Sequence, residues 1–364
     1  MKILIVNTIP FDLNGMSTVI FNYFKYMERQ NIEFHFLVND YIDKNLKSEI
    51  IRMGGSIHLM HNRNKKPWIY ISQLRHLAKK EKFDIVHVHG NSATMEFEML
   101  AFKGLSTKKI VHVHGVNTQH PLVHRILYPM FKNSYDVAFA ASSQAGEWLI
   151  KNRPFTIINN GIDVKRFLFD EKARKRIREL LNIDDERPVV LHVGAFSEQK
   201  NHDFLIRTFE KFHQTTPTAL LILIGKGKNI SVIKEYCRTH GLLDSVRFLG
   251  ERNNTEDFYS AADLFLFPSK FEPFGIVTLE AQCSGLPVIA SDVLPKEVNI
   301  TSNVSFLALS EGYESWANVI SKRLSESHSN RLQKTFYQIF EDKGYSIVKN
   351  AQQMKKYYFE LAKD

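Results

Sequence analysis

"DIVHVHGNSATMEFEMLAFKGLSTKKIVHVHG", residues 84–115, sets two apolar runs, 84–89 and 109–114, on either side of a helical pattern over 92–103. Neither run alternates strictly between apolar and polar residues, which is the signature of strands covered on both faces. Parallel strands need a long crossover, and the intervening helix supplies it. The same alternation extends in both directions. "KILIV" (2–6), "FHFLV" (34–38), "SIHLM" (56–60) and "DVAFAAS" (136–142) read as strands, with helical patterns at 16–29, 67–81 and 121–132. The first part of the chain is therefore expected to form an open, doubly wound α/β sheet.

A turn signal, Asn-Asn-Gly, stands in "IINNGIDVKRF" (157–167), and a charged helix follows at 170–183. The alternation then resumes. Strands are expected at 188–194, 219–225, 246–250, 263–269 and 287–291, and helices at 201–214, 229–241 and after Glu272. A boundary near 165 divides the chain into two Rossmann-like domains, 1–165 and 166–345. About eleven strands with a break in the middle do not make the eight regular units of a closed barrel. The last helix, 346–364, has no strand after it and is expected to pack back on the first domain.

The chain has 364 residues, 44% of them hydrophobic, enough for two cores. Its formal charge of +9 suits phosphorylated substrates, anionic lipid or nucleic acid, and no recognisable nucleic-acid module occurs. Two cysteines, Cys237 and Cys283, in apolar surroundings read as thiols in a reducing cytoplasm. No apolar run is long enough to cross a membrane, so any membrane association is expected to be peripheral. One place for it is "NRNKKPWIYISQLRHLAKKEKF" (62–83), a basic helix with Trp68 and Tyr70 at the interface. The same stretch also reads as an ordinary helix with a solvated basic face.

In doubly wound sheets ligands bind beyond the carboxyl ends of the strands. Polar, basic and glycine-rich residues gather there: "NTIPFDLNGMS" with Gly15, the two "HVHG" runs, "GAFSEQKN" (194–201), "GKGKN" (225–229) and "KFEPFG" (270–275). Two such rims facing one another would form an interdomain cleft. Gly275 would open a helix whose first amides, those of Ile276 and Val277, meet an anion. Neither a dinucleotide GxGxxG nor a Walker A motif is present. Glu272 then stands at the mouth of this loop and Glu280 within the helix; the plain alternative is a helix-start charge and a solvated helix residue. His87 with His89, and His112 with His114, share strand faces and could ligate a metal, yet no Asp, Glu or Cys nearby completes either pair. A polar or packing role suits His87 and His112, and sugar contact suits His89 and His114.

"FEPFGIVTLEAQCSGLPVIASD", with its two glutamates, resembles the signature of the retaining, GT-B fold glycosyltransferases of family 4. "INNGIDVKRF" and "VGAFSEQKNHDFLIRTF" resemble two further blocks of that family. "DIVHVHGNSATM", "ASSQAGEWL" and "SDVLPKEV" are similar to the subgroup that builds bacterial capsular and exopolysaccharides. The resemblance implies a UDP-sugar donor, a glycolipid or oligosaccharide acceptor, front-face transfer and no cofactor. No Asp-x-Asp pair stands at a strand end, so no essential metal is expected.

By the same resemblance Glu280 binds the ribose, Glu272 contacts the donor sugar, and the backbone of Phe274, Gly275, Ile276 and Val277 holds sugar and phosphate. Lys200 meets the diphosphate, Gly15 approaches the donor phosphate, His114 lies near the reacting sugar, and His89 and Asn91 face the acceptor. The pattern departs at Ala195, where the family usually carries an arginine on the diphosphate. Lys226, Lys228 and Arg252 are the candidates to compensate. Two alternatives follow: a nucleotide-sugar epimerase of the same fold, and a weakened, transferase-like partner subunit.

Overall fold

In the computed structural model the described residues are 1–12, 14–272, 274–326, 331 and 333–363, with 333 and 334 described in their backbone alone. Leu13 and Pro273, from two of the loops above, and Asp364, from the last helix, lie outside them.

The chain divides into two units, 1–161 with 346–364, and 162–345. The first holds β1 (Lys2–Asn7), β2 (Glu33–Asn39), β3 (Ser56–Met60), β4 (Ile85–Gly90), β5 (Lys108–Val113), β6 (Val137–Ala140) and β7 (Thr156–Ile157). They make one parallel sheet in the order β3-β2-β1-β4-β5-β6-β7. Successive residues of a strand face opposite layers. Leu4, Val6, Val86, Val88, Val111 and Val113 join one core cluster with Tyr70 and Leu74 of the helix Pro67–Glu81. Ile5, Phe34 and Phe36 instead meet Ile20, Tyr23 and Phe24 of the helix Gly15–Tyr26 and Met354 and Tyr358 of the helix Ile347–Leu361. Both faces of the sheet are covered, which is why the strands do not alternate strictly between apolar and polar residues.

That last helix thus belongs to the first unit. Its Tyr358 ring lies 6.3 Å from Phe34. Asn350 Nδ2 and Tyr23 Oη both donate to the carbonyl of Asn159, at 3.0 and 2.9 Å. Gly161, the last residue before the crossing, has no room for a side chain: a Cβ there would lie 2.6 Å from the backbone nitrogen of Ile347.

The stretch 62–83 differs from its reading as a lipid-facing helix with two aromatic anchors. Trp68 is 67% exposed, but Tyr70 is fully buried. Tyr70 Oη donates to Glu98 at 2.7 Å, and buried Arg63 forks onto the same carboxylate at 2.7 and 2.9 Å. A buried pair satisfied on every side in this way orders the helix, and removing one partner would strand the other charge.

The second unit holds β8 (Val189–Val193), β9 (Leu220–Ile224), β10 (Val246–Gly250), β11 (Leu264–Phe267), β12 (Val288–Ser291) and β13 (Val304–Leu307). The order is β10-β9-β8-β11-β12-β13, again all parallel. The strand count rises above the eleven read from sequence because each sheet gains a short strand at its end, β7 and β13. β7 has two residues and β13 four half-buried ones, too little apolar run to register. Helices at Lys44–Arg52, Ser143–Leu149, Thr255–Ala261, Gly312–Glu326 and Gln333–Asp342 were likewise not read. The chain passes to the second unit at Ile162, a few residues before the expected 165, because Ile162, Val164 and Phe167 pack into the second core.

In each sheet the strand order reverses beside its first strand, between β1 and β4 and between β8 and β11. Loops leaving the carboxyl ends of such neighbours part to opposite faces and open a crevice, the general ligand position of this architecture.

Candidate active site

At the reversal of the second sheet two loops meet. The loop after β8 carries Lys200, and the loop after β11 carries Glu272. Their side chains form an ion pair and are only 17% and 10% exposed. Lys200 Nζ also stands 4.5 Å over the ring of Phe267, the last residue of β11. A desolvated ammonium gains from both contacts, carboxylate and ring face. Backbone contacts hold the β8 loop. Phe196 N donates to the Lys226 carbonyl at 2.9 Å, and Asn229 N donates to the Phe196 carbonyl at 3.2 Å. Gly225 makes this possible: at φ 145°, a Cβ would fall 2.0 Å from the carbonyl oxygen of Gly194.

Glu272 leads into the helix Ile276–Cys283. Gly275 is its N-cap, in the left-handed conformation at φ 79°, which an L side chain adopts at a cost. A Cβ there would also crowd Glu272 Cγ at 3.3 Å. Thr278 N and Oγ1 already bond the Gly275 carbonyl, at 2.9 and 2.7 Å. The amides of Ile276 and Val277 thus stand at the positive end of the helix dipole. Phe274 is buried and stacks near Tyr345 at 6.1 Å, so it offers backbone to a ligand and keeps its ring in the core.

Glu280 is half-buried and differs from a solvated helix charge. Fully buried Tyr259 donates to its carboxylate at 2.9 Å. Burial pushes the Glu280 carboxyl up to about 7, against the opposing pull of the Tyr259 hydrogen bond and the charge of Arg166. Glu280 and Glu272 therefore have different partners and surroundings, and do not form an acid pair.

Two residues that hold this site were not read from sequence. Tyr259 comes from the short helix Thr255–Ala261, which carries no motif. Gln282, fully buried, accepts from Ile300 N and Thr301 N at 2.9 and 3.2 Å and donates to the carbonyls of Thr278 and Val298 at 3.1 and 2.7 Å. It pins the helix that carries Glu280. An uncharged residue inside an apolar helix gave no signal of its own.

Ala195 is exposed on the same loop as Lys200. Of the cations considered for the missing arginine, Lys226 contacts this loop through its backbone, but its ammonium pairs with Glu251 at 2.7 Å. Lys228 and Arg252 are exposed.

Within the first unit, Gly15 opens the helix Gly15–Tyr26, capped by Asn14 Oδ1 accepting from Ser17 N at 2.9 Å. Gly15 faces open space and lies in no strained conformation. Asn91 Oδ1 accepts from His114 N at 3.1 Å, and His114 Nε2 shares a hydrogen bond with His89 Nδ1 at 2.8 Å. His114 is half-buried. His89, by contrast, is buried, and its Nδ1 is engaged by His114. The two histidine pairs are also not separate. Register sets His89 beside His112, so His87, His89, His112 and His114 stack on one face of the sheet. Burial pulls the His87 and His114 imidazoles down to about 3, and His89 and His112 well below the ordinary value.

Comparison with known proteins bears on this arrangement. The family model described as "Glycosyltransferase Family 4" matches residues 13–166, and "Glycosyl transferases group 1" matches 173–338. The putative glycosyltransferase EpsF of Bacillus subtilis is 26% identical, over 92% of this chain and 91% of its own. A UDP-Gal:alpha-D-GlcNAc-diphosphoundecaprenol alpha-1,3-galactosyltransferase of Escherichia coli is 23% identical, over 99% and 97%. Among solved structures, Anabaena Alr3699/HepE in complex with UDP superposes with a TM-score of 0.80 at 19% identity, covering 99% of this chain and 100% of that one. The fold and the match across both units define a glycosyltransferase of the GT-B type. The chain belongs to glycosyltransferase family 4.

The raised Glu280 carboxyl has a measurable consequence. The folded chain keeps its proton longer than the unfolded chain, whose value is near the ordinary 4.5, so the group stabilises the fold below about pH 4.5. That contribution is lost as pH rises through 7. Glu280→Gln is neutral throughout. The unfolding free energy of the native protein minus that of the variant, from urea titrations at pH 5 and pH 8, should therefore fall by roughly 2–3 kcal/mol on going to pH 8. A difference that is flat with pH would contradict the buried carboxyl.

Proposed function

We propose that this chain is a retaining transferase that moves a sugar from a UDP-sugar to a lipid-linked or oligosaccharide acceptor in the making of a bacterial surface polysaccharide. The observation that carries the reading is the meeting of Lys200, Glu272 and the glycine-capped helix leading to Glu280. In this reading the second unit binds the donor. Glu280 takes the ribose hydroxyls, Lys200 and the amides of Ile276 and Val277 take the diphosphate, and Glu272 takes the sugar. The first unit binds the acceptor, with Asn91 and His114 on its loops, while Gly15 is assigned to the donor phosphate. Support for UDP is the UDP complex of HepE. Support for a diphosphate-linked lipid is the name of the galactosyltransferase relative.

In the reaction, the bond from the sugar's anomeric carbon to the diphosphate breaks and the acceptor hydroxyl bonds to the same face of that carbon. The hydroxyl proton passes to the leaving diphosphate. Lys200 and the helix amides stabilise the charge that develops on the leaving group; fixed donors of this kind act most strongly in a site that excludes water. Glu272 stands opposite the positive character at the sugar. No divalent ion is needed on the diphosphate in this scheme.

A membrane-borne acceptor also fits the first unit's surface. No helix among the described residues is long and apolar enough to cross a membrane. The helix Pro121–Phe131, however, exposes Leu122 at 76% and Ile126 at 73%, with Met130, Arg125 and Lys132 also exposed. Apolar side chains among cations suit the interface of an anionic bilayer. The buried free thiols accord with a cytoplasmic setting.

Ala195 supports a second reading, a transferase-like subunit that binds UDP without turnover. A screen of UDP-sugars with and without a GlcNAc-diphosphoundecaprenol acceptor separates the two. Acceptor-dependent UDP release with retention at the anomeric carbon is expected, and Lys200→Ala should lower it about 10²–10³-fold. Transfer unchanged by Glu272→Gln combined with Glu280→Ala would refute the assigned roles. UDP binding without turnover, followed by large activation in Ala195→Arg, would select the second reading. Replacing Leu122 and Ile126 by Asp should abolish co-sedimentation with phosphatidylglycerol vesicles; undiminished co-sedimentation would remove this helix as the contact.

A further inference from the structure

The stacked histidines of the first sheet carry an inference that does not depend on the transferase reading. His87 and His89 lie two residues apart on β4, so their imidazoles project from one face. His112 is the direct neighbour of His89 on β5. One nitrogen from each of His87, His89 and His112 falls in a group whose members lie within 4.8 Å of one another. Two imidazoles on one strand and a third beside them on the next form a three-nitrogen face, the donor set of a tetrahedral zinc site with an open fourth position.

The hydrogen bonding around the rings points the same way. His87 Nδ1 is engaged by the Tyr358 hydroxyl at 2.7 Å, and its Nε2 is buried with no partner. His89 Nδ1 is engaged by His114 at 2.8 Å. Both nitrogens of His112, a fully buried residue, have no partner. A ligating imidazole characteristically has its other nitrogen held by a hydrogen bond, which sets the tautomer and aims the free lone pair. Buried nitrogens left without partners are costly and call for an ion or a water. Zinc–nitrogen bonds of about 2.0–2.1 Å set tetrahedral ligands roughly 3.4 Å apart, so the nitrogens need to close by up to about 1.4 Å. The rings stack, His87 on His89 at 27° and on His112 at 7°, so loading also turns them to bring their in-plane lone pairs to one point.

We infer that His87, His89 and His112 form a site for one zinc-class divalent ion inside the first unit, with Tyr358 and His114 orienting two of the ligands. The ion would tie β4 to β5 and, through Tyr358, to the last helix.

The test uses the full chain stripped on a chelating resin, then titrated with Zn2+ against a chromophoric chelator and separately with Co2+. One ion per chain is expected, with the visible bands of a nitrogen-ligated tetrahedral Co2+ site and a rise in thermal midpoint on loading. Tyr358→Phe, which removes a single hydroxyl, should weaken Zn2+ binding about 10–100-fold. His112→Gln should weaken it further. Absence of stoichiometric uptake by the native chain overturns the proposal. So does uptake that neither variant weakens, which would place the ion on surface imidazoles. Should His112→Gln fail to fold, as its circular dichroism would reveal, the native titration and Tyr358→Phe decide.

Discussion

The candidate site depends on one contact, the ion pair between Lys200 and Glu272. Neither residue can be brought to the other by local sequence. Lys200 follows β8 and Glu272 follows β11, and they meet because the parallel order reverses between those strands. A charged pair so little exposed costs desolvation energy, which is recovered only with good geometry and further partners. Phe267 beneath the ammonium supplies one. The pair therefore ties the loop after β8 to the loop after β11.

From this mouth the chain runs directly into a helix whose start is set by Gly275 and whose body is pinned by Gln282. Rigidity matters here because a site has to hold its groups in place before the ligand arrives. The two glutamates then separate by environment. Glu272 is matched by a cation. Glu280 has a tyrosine and a low-polarity surround that raises its proton affinity. Same residue type, different chemistry: the difference comes from packing several strands away. Ala195 sits on the loop these contacts stabilise.

Much of the fold was legible because parallel strands buried on both faces leave apolar runs that need no alignment to see. β3 and β10 run over the same residues as read, Ser56–Met60 and Val246–Gly250. The end strands β7 and β13 were not legible, since their pairing depends on a neighbour and their own runs are short. In the site, Glu272, Gly275, Glu280 and Lys200 stood out through spacing and resemblance. Tyr259 and Gln282 did not, because their roles exist only after tertiary packing. The histidines show the same limit. Read along the chain they were two pairs lacking a third ligand, and the register of β4 against β5 made them one cluster.

Titration calorimetry with UDP and 2′,3′-dideoxy-UDP tests the central assignment most directly, on the native chain and on Glu280→Ala. If the glycine-capped helix carries a nucleotide with Glu280 on its ribose, the native chain prefers UDP over the dideoxy form by at least about tenfold, or 1.4 kcal/mol, and the variant binds the two alike. Equal binding of both by the native chain, or an undiminished preference in Glu280→Ala, would contradict it.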